Sequence, residues 1–195
     1  MKWLIPFLLC SIAFAENPKP QVPAGTEPKE GIQIRLKASD GQSYSPLAGK
    51  ARTATVLLFL MHDCPVTNAT APELARLARD FAAHGVEFFG IYMTETEKEI
   101  ETHRREYGLP FPGLLDPKLQ LARLAGITRA PEAALFSPQG ELLYRGRIDD
   151  RAIKPGTMRP KPSRYDLRLA LESVLAGRQP EPRFTTSIGC YLPLE

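Results

Sequence analysis

A run of apolar residues from Val56 to Met61 stops abruptly at His62-Asp63 and meets Cys64-Pro65. The run is far too short to span a membrane and has no polar break, so it reads as a strand buried on both faces. Proline at a first helical position, with small polar residues beside it, marks a helix starting at about Pro65. Cys64 therefore falls at a strand-to-helix corner. The unpaired N–H groups and positive dipole end of that helix favour an anion, which predicts a lowered thiol pKa with Asp63 opposing it. The alternative is a buried cysteine that only fills space.

With 195 residues the chain is long enough for one cored domain with tails. A formal charge of +3, with acidic and basic residues interspersed, gives no nucleic-acid footprint. Residues 1–15 carry Lys2, an apolar segment from Trp3 to Phe14 and the small-x-small ending Ala13-Phe14-Ala15, the pattern of a secretory signal peptide. Cleavage before Glu16 would remove Cys10 and leave Cys64 and Cys190. No later stretch is apolar enough to cross a membrane, so no membrane association is expected after cleavage. Residues 16–30 hold four prolines and read as a linker.

Alternation at Ile32, Ile34 and Leu36 followed by Asp40-Gly41 predicts a first strand and hairpin, and Leu47 to Arg52 leads into the central strand. Leu74, Leu77, Ala78 and Phe81 continue the helix after Cys64, kinked at Pro72 and closed by Gly85. Val86 to Met93 predicts a strand, Glu95 to Tyr107 an exposed helix that leaves His103 solvated, as is His84. A short strand over Phe111 to Leu115 and a short helix over Leu119 to Leu124 follow. Glu132 to Phe136 and Glu141 to Arg145 predict a hairpin. Ser163 and Asp166 form a capping signal for a last helix, Leu167 to Leu175. Strands alternating with helices predict an α/β fold, a central mixed sheet with helices on both faces over residues 31–177, trailed by a flexible tail, residues 178–195, that carries Cys190. Phe184, Ile188, Tyr191 and Leu192 could lay that tail back on the domain.

The segment Cys64-Pro65-Val66-Thr67-Asn68, with Ala71-Pro72 after it, resembles the active-site helix of the thioredoxin-like proteins, Thr67 standing where a second cysteine would be. Gly126-Ile127-Thr128-Arg129-Ala130-Pro131 resembles the segment that carries their cis-proline. The nearest branch is the redoxin group, the alkyl hydroperoxide reductase and thiol-specific antioxidant proteins, with secreted members bearing a CPxxN site and strings like Gly146 to Arg151 and Ile188-Gly189-Cys190. The resemblance implies a thiol-disulfide oxidoreductase without a cofactor. In it Cys64 attacks, Thr67 hydrogen-bonds its thiolate, a cis Pro131 shapes the groove, and Pro65, Arg129 and Ala130 lie against substrate. Its partners would be a protein or small-molecule thiol or disulfide and a thiol electron donor. An exported, bacterial periplasmic protein is implied, since the sequon Asn68-Ala69-Thr70 lies inside the active helix, where a sugar would block it.

Two departures leave other readings open. Thr67 removes the resolving thiol of a CxxC, which makes Cys190 the candidate resolving thiol, or else half of a permanent disulfide pinning the tail. Leu57 and Met61 replace the proline and threonine that precede a peroxidatic cysteine, which weakens an alternative thiol-peroxidase reading; Arg129 could still donate near the site or be purely structural. Met61, His62, Cys64 and Cys190 are soft ligands suited to Cu(I), the basis of a third, non-enzymatic copper-binding or assembly reading, although His62 sits too close to Cys64 in sequence to bind easily with it. The charge string Arg145, Arg147, Asp149, Asp150 and Arg151 is a surface ion-pair turn or a dock for the tail or a partner.

Overall fold

The computed structural model describes residues 32–49 and 52–193. The predicted signal peptide with Cys10, the predicted linker and the predicted cleavage site lie outside the described residues. In chain order the elements are β1 (Leu36–Lys37), β2 (Ser43–Tyr44), β3 (Ala54–Phe59), α1 (Pro65–Ala82), β4 (Val86–Tyr92), α2 (Glu97–Glu106), β5 (Gly113–Leu115), α3 (Gln120–Ala125), β6 (Arg129–Ala130), β7 (Glu132–Phe136), β8 (Leu142–Gly146), β9 (Ala152–Lys154), β10 (Thr157–Met158), α4 (Asp166–Leu175) and β11 (Cys190–Tyr191). The main sheet has the order β5-β4-β3-β7-β8, parallel from β5 to β3 and antiparallel from β3 to β8. It is a mixed sheet of the thioredoxin-like α/β kind.

The apolar run becomes its middle strand because both of its faces are covered. Side chains alternate across a strand, so Val56, Leu58 and Leu60 enter one core with α1, α4 and Ile100 of α2, while Leu57 and Phe59 enter the other with α3, β1 and Leu192. Every residue of β3 is buried. Burying side chains of this size contributes roughly 1.5–3 kcal/mol each, which fixes where β3 ends and so where Cys64 stands.

Four sequence expectations need correction. The first strand is only Leu36–Lys37; Ile32 and Ile34 pack on the core without pairing. The Ser163–Asp166 capping pair does not form: Tyr165 is the N-cap of α4, Ser163 bonds Asp150, and Asp166 takes Arg147 and Arg164 at 2.7 Å each. α2 is not solvated throughout, for His103 is buried on its inner face. The tail is docked rather than loose: β11 pairs antiparallel with β6, Leu192 is buried, and Thr185 exchanges a backbone bond with Arg145 at 3.0 Å. The hairpin β9–β10, whose turn Pro155-Gly156 is a signal that sequence reasoning missed, the strand β6 and a second cis peptide at Glu181–Pro182 lie beyond the sequence expectations.

Candidate active site

Cys64 is the N-cap of α1, with extended backbone and Pro65 at the first helical position, and its carbonyl accepts the Asn68 N–H at 3.0 Å. α1 runs through Pro72 without ending there. Proline supplies no N–H to the Asn68 carbonyl four residues before it; at the next carbonyl, that of Ala69, the helix accepts a bond from outside, from Arg151 Nη1 at 2.8 Å. The far end of the charge string thus supports the active helix.

The Cys64 side chain is 1% exposed. Its Sγ donates to the Ala130 carbonyl at 3.4 Å, and the Cys190 Sγ lies 2.6 Å away, so the two cysteines of the described residues meet across 126 positions. The Ala130–Pro131 peptide is cis, as the resemblance implied, and Pro131 is buried beside them. Burial alone would raise the Cys64 pKa. Hydrogen bonds from the Cys190 thiol, the Thr67 N–H, the Cys190 backbone and the Thr67 hydroxyl outweigh it, so the net shift is downward. The Thr67 hydroxyl is buried, has no full hydrogen bond of its own and contributes least of the four. On the helix side the Thr67 N–H lowers it more than the Thr67 hydroxyl does. Asp63 does not figure among the groups acting on Cys64; its charge acts on Cys190 instead, whose pKa is pushed up to about 12 by burial, the neighbouring Cys64 and Asp63.

Arg129 does not reach the cysteines. It stacks 4.0 Å over the Tyr191 ring and donates to the Tyr191 hydroxyl at 2.6 Å, clasping the tail from outside. Tyr191 and Phe184 are exposed, Phe184 lying under Arg145 at 5.2 Å, so of the four proposed apolar anchors Leu192 alone is fully inserted and Ile188 is half-buried. Arg145 and Arg147 do meet the tail: Arg145 accepts from and donates to its backbone, and the Arg147 N–H donates to the Thr185 hydroxyl at 3.0 Å. Asp150 has its pKa lowered to about 2, burial being overcome by bonds from Ser163 and Arg164 and by the Arg159 charge. Asp149 is buried, which raises its pKa, and it lines a small cavity with Val66, Thr70, Pro131 and Ile188.

Behind the corner runs a chain of polar groups that sequence reasoning missed. His103 Nε2 lies 3.0 Å from the Asn68 side-chain oxygen, which can only accept, so Nε2 carries the proton and Nδ1 accepts from the Tyr92 hydroxyl at 2.8 Å. Burial lowers the His103 pKa, consistent with this neutral form. The Asn68 amide then donates to the His62 carbonyl at 3.0 Å, and the His62 N–H to the buried Glu95 carboxylate at 3.1 Å. A signal was present: Ile100, His103 and Tyr107 share one helical face, where a histidine is turned inward. His62 is held by Glu95, with Nδ1 3.5 Å from its carboxylate, and no group of three or more histidine, cysteine or acidic side chains able to hold a metal occurs among the described residues.

The model of the AhpC/TSA family matches residues 29–145. The chain belongs to the AhpC/TSA family. Thiol-disulfide oxidoreductase ResA of Halalkalibacterium halodurans is 28% identical over 130 residues, covering 65% of this chain and 72% of that protein. Among solved structures, an uncharacterized conserved protein from Geobacillus kaustophilus is 27% identical with a TM-score of 0.73, covering 90% of this chain and 94% of that one. A putative thioredoxin from Neisseria meningitidis, 20% identical with a TM-score of 0.52 over 61% of this chain and 79% of its own, shares the fold. The second departure from the AhpC/TSA pattern puts apolar side chains where a hydroxyl would stand: Leu57 is wholly buried and Met61 packs against the same core. The family match ends before the tail, and Cys190 lies outside it.

Proposed function

We propose that this member of the AhpC/TSA family is an exported thiol-disulfide oxidoreductase in which Cys64 is the attacking thiolate and Cys190 the resolving thiol. The observation that carries the reading is the pair of sulfurs 2.6 Å apart with pKa values moved in opposite directions. Attack by a thiolate on a disulfide sulfur forms one S–S bond and breaks another. The Cys64 thiolate takes one half of a substrate disulfide and expels the other half as a thiolate. Cys190 then loses its proton to that departing group, which leaves as a thiol, and attacks Cys64, forming the Cys64–Cys190 disulfide and releasing the second half as a thiolate. The substrate gains two electrons and the cysteine pair loses two; a thiol donor reverses the pair. Thr67 steadies the thiolate, and Pro131 with Ala130 shapes the floor, while Pro65, exposed at the first turn, faces the incoming substrate.

The likeness to ResA supports this chemistry, and the leader over residues 1–15 supports export. Peroxide reduction is a poorer fit because Arg129 is engaged by Tyr191 and residues 57 and 61 offer no polar contact. Copper binding is a poorer fit because His62 is held by Glu95 rather than turned to the sulfurs. The test is non-reducing peptide mapping of the exported protein after oxidation, together with its intact mass. An intramolecular Cys64–Cys190 peptide and a chain beginning at Glu16 are the expected results. Two free thiols, or a Cys190 bridge only between chains, would remove the resolving role, and a retained leader would remove the export reading.

A further inference from the structure

Cys64 is almost wholly covered, and what covers it is a two-residue strand whose fit depends on a missing side chain. Cys190 pairs with Ala130 and Tyr191 with Arg129, and the Leu192 N–H donates to the Thr128 carbonyl at 3.1 Å. A Cβ built on Gly189 would lie 2.7 Å from the Ala130 carbonyl carbon, closer still to its oxygen, and 3.2 Å from Pro131 Cδ. These atoms belong to backbone and a proline ring, so they cannot swing aside as a long side chain could. The oxygen in the way is the one that accepts the Cys64 thiol at 3.4 Å. Upstream the tail is pressed onto the sheet at a second glycine, Gly146, with φ of +149°, where a Cβ would come within 2.8 Å of the Thr185 nitrogen.

We propose that Gly189 is a positioning residue for the exchange reaction, and that the Arg129–Ala130 edge accepts an extended peptide only where glycine immediately precedes its cysteine. The tail is the resident occupant of that edge. A disulfide-bearing peptide reaches Cys64 by displacing β11 and pairing in its register, where its residue before the cysteine meets the Ala130 carbonyl as Gly189 does. A strand added to a free edge gains its affinity from main-chain bonds and its selectivity from the side chains at each register position. Here the selecting position admits no side chain. The inference rests on the resolving role proposed above.

The test uses the full mature chain. In glutathione redox buffers, Gly189→Ala is expected to weaken the Cys64–Cys190 disulfide about tenfold, because the added methyl overpacks against backbone that cannot yield, a change equivalent to about 30 mV in potential. It should also make reduced Cys64 react faster with iodoacetamide, because the lid no longer seats. If wild type forms the disulfide and Gly189→Ala forms it equally well, the positioning role fails while the proposed function stands. If wild type forms none, the function reading itself has failed. A second arm uses the Cys190→Ser variant and a peptide of the sequence from Thr186 to Leu192, presented as its glutathione mixed disulfide, beside the same peptide carrying Gly189→Val. Capture by Cys64 at least tenfold faster for the glycine peptide supports the edge selectivity, and equal rates overturn it.

Discussion

Cys64 and Cys190 are one chemical group in two settings. Cys64 sits on a helix start fixed by the buried strand before it, and donor groups of Cys190 and Thr67 lower its pKa against the effect of burial. Cys190 sits on a two-residue strand held by an edge pairing and an exposed arginine clasp, and the charge of Asp63 opposes its ionisation. Burial disfavours both thiolates, so burial cannot be what separates them; directed donors on one side and neighbouring negative charge on the other do so. A thiol that ionises readily beside one that does not gives exchange a direction, since one sulfur attacks first and the other waits for a departing thiolate to take its proton.

The largest effect should come from breaking the pair on either side. Cys64→Ser is expected to reduce disulfide exchange to the uncatalysed rate. Cys190→Ser should instead leave the first attack intact and accumulate a mixed disulfide on Cys64, visible by intact mass after a single turnover. Equal loss in both variants, with no trapped species, would make the two cysteines equivalent and remove the asymmetry.

The next effect depends on pH. Reduced Cys190 has a folded pKa of about 12 against an ordinary 9.0. The folded state then holds this proton more tightly than the unfolded chain does, so the associated stability is present below pH 9.0 and is lost as pH rises toward about 12. Cys64 has the opposite sign: its lowered pKa contributes stability above the ordinary thiol value, lost as pH falls through the folded one. The reduced wild type should therefore lose thermal stability above pH 9 faster than Cys190→Ser. A parallel decline in both would place the alkaline transition elsewhere in the molecule.

The two settings also differ in how far the sequence reveals them. The Cys64 corner is legible because its causes are local: an unbroken apolar run, a proline at a helix start and helical spacing after it. The central strand, α1, β4 and the β7–β8 hairpin follow from the same kind of signal. The setting of Cys190 is not legible, because β6 and β11 are two residues each and neither carries a period; their pairing exists only once Leu192 finds the core and the tail passes over Gly146. His103 lies between these cases. Its place on the face of Ile100 and Tyr107 is written in the spacing, whereas its bonds to Asn68 and Tyr92 depend on how α2 packs.

A smaller effect separates the donors to Cys64. The Cys190 thiol is the largest of the lowering groups and the Thr67 hydroxyl the smallest. A hydrogen bond to a charged group is worth about 1.5–3 kcal/mol, so replacing Cys190 by alanine, which cannot donate, should reduce the Cys64 thiolate fraction at neutral pH about tenfold relative to Cys190→Ser. Thr67→Val should reduce it about threefold, because a hydroxyl that makes no full hydrogen bond contributes at the low end of the about 0.5–1.5 kcal/mol of an ordinary bond. Thiolate absorbance against pH reads both. If Thr67→Val had the greater effect, the helix side of the site would outweigh the tail side.

The smallest effect should come from the outer clasp. Arg129 and Tyr191 stack at 4.0 Å, but the ring is 71% exposed, so water competes for both partners. A cation–π contact at such a site contributes about 0.5–1 kcal/mol. Arg129→Ala should therefore raise the rate at which iodoacetamide reaches reduced Cys64 by roughly two- to fivefold, well below the effect of Gly189→Ala, because the edge pairing and the buried Leu192 remain. The two variants weigh the tail's fastenings against each other: one removes an external clasp, the other forces the strand off the Ala130 carbonyl. An Arg129→Ala effect as large as that of Gly189→Ala would mean that the exposed stack, and not the close backbone approach, keeps Cys190 over Cys64.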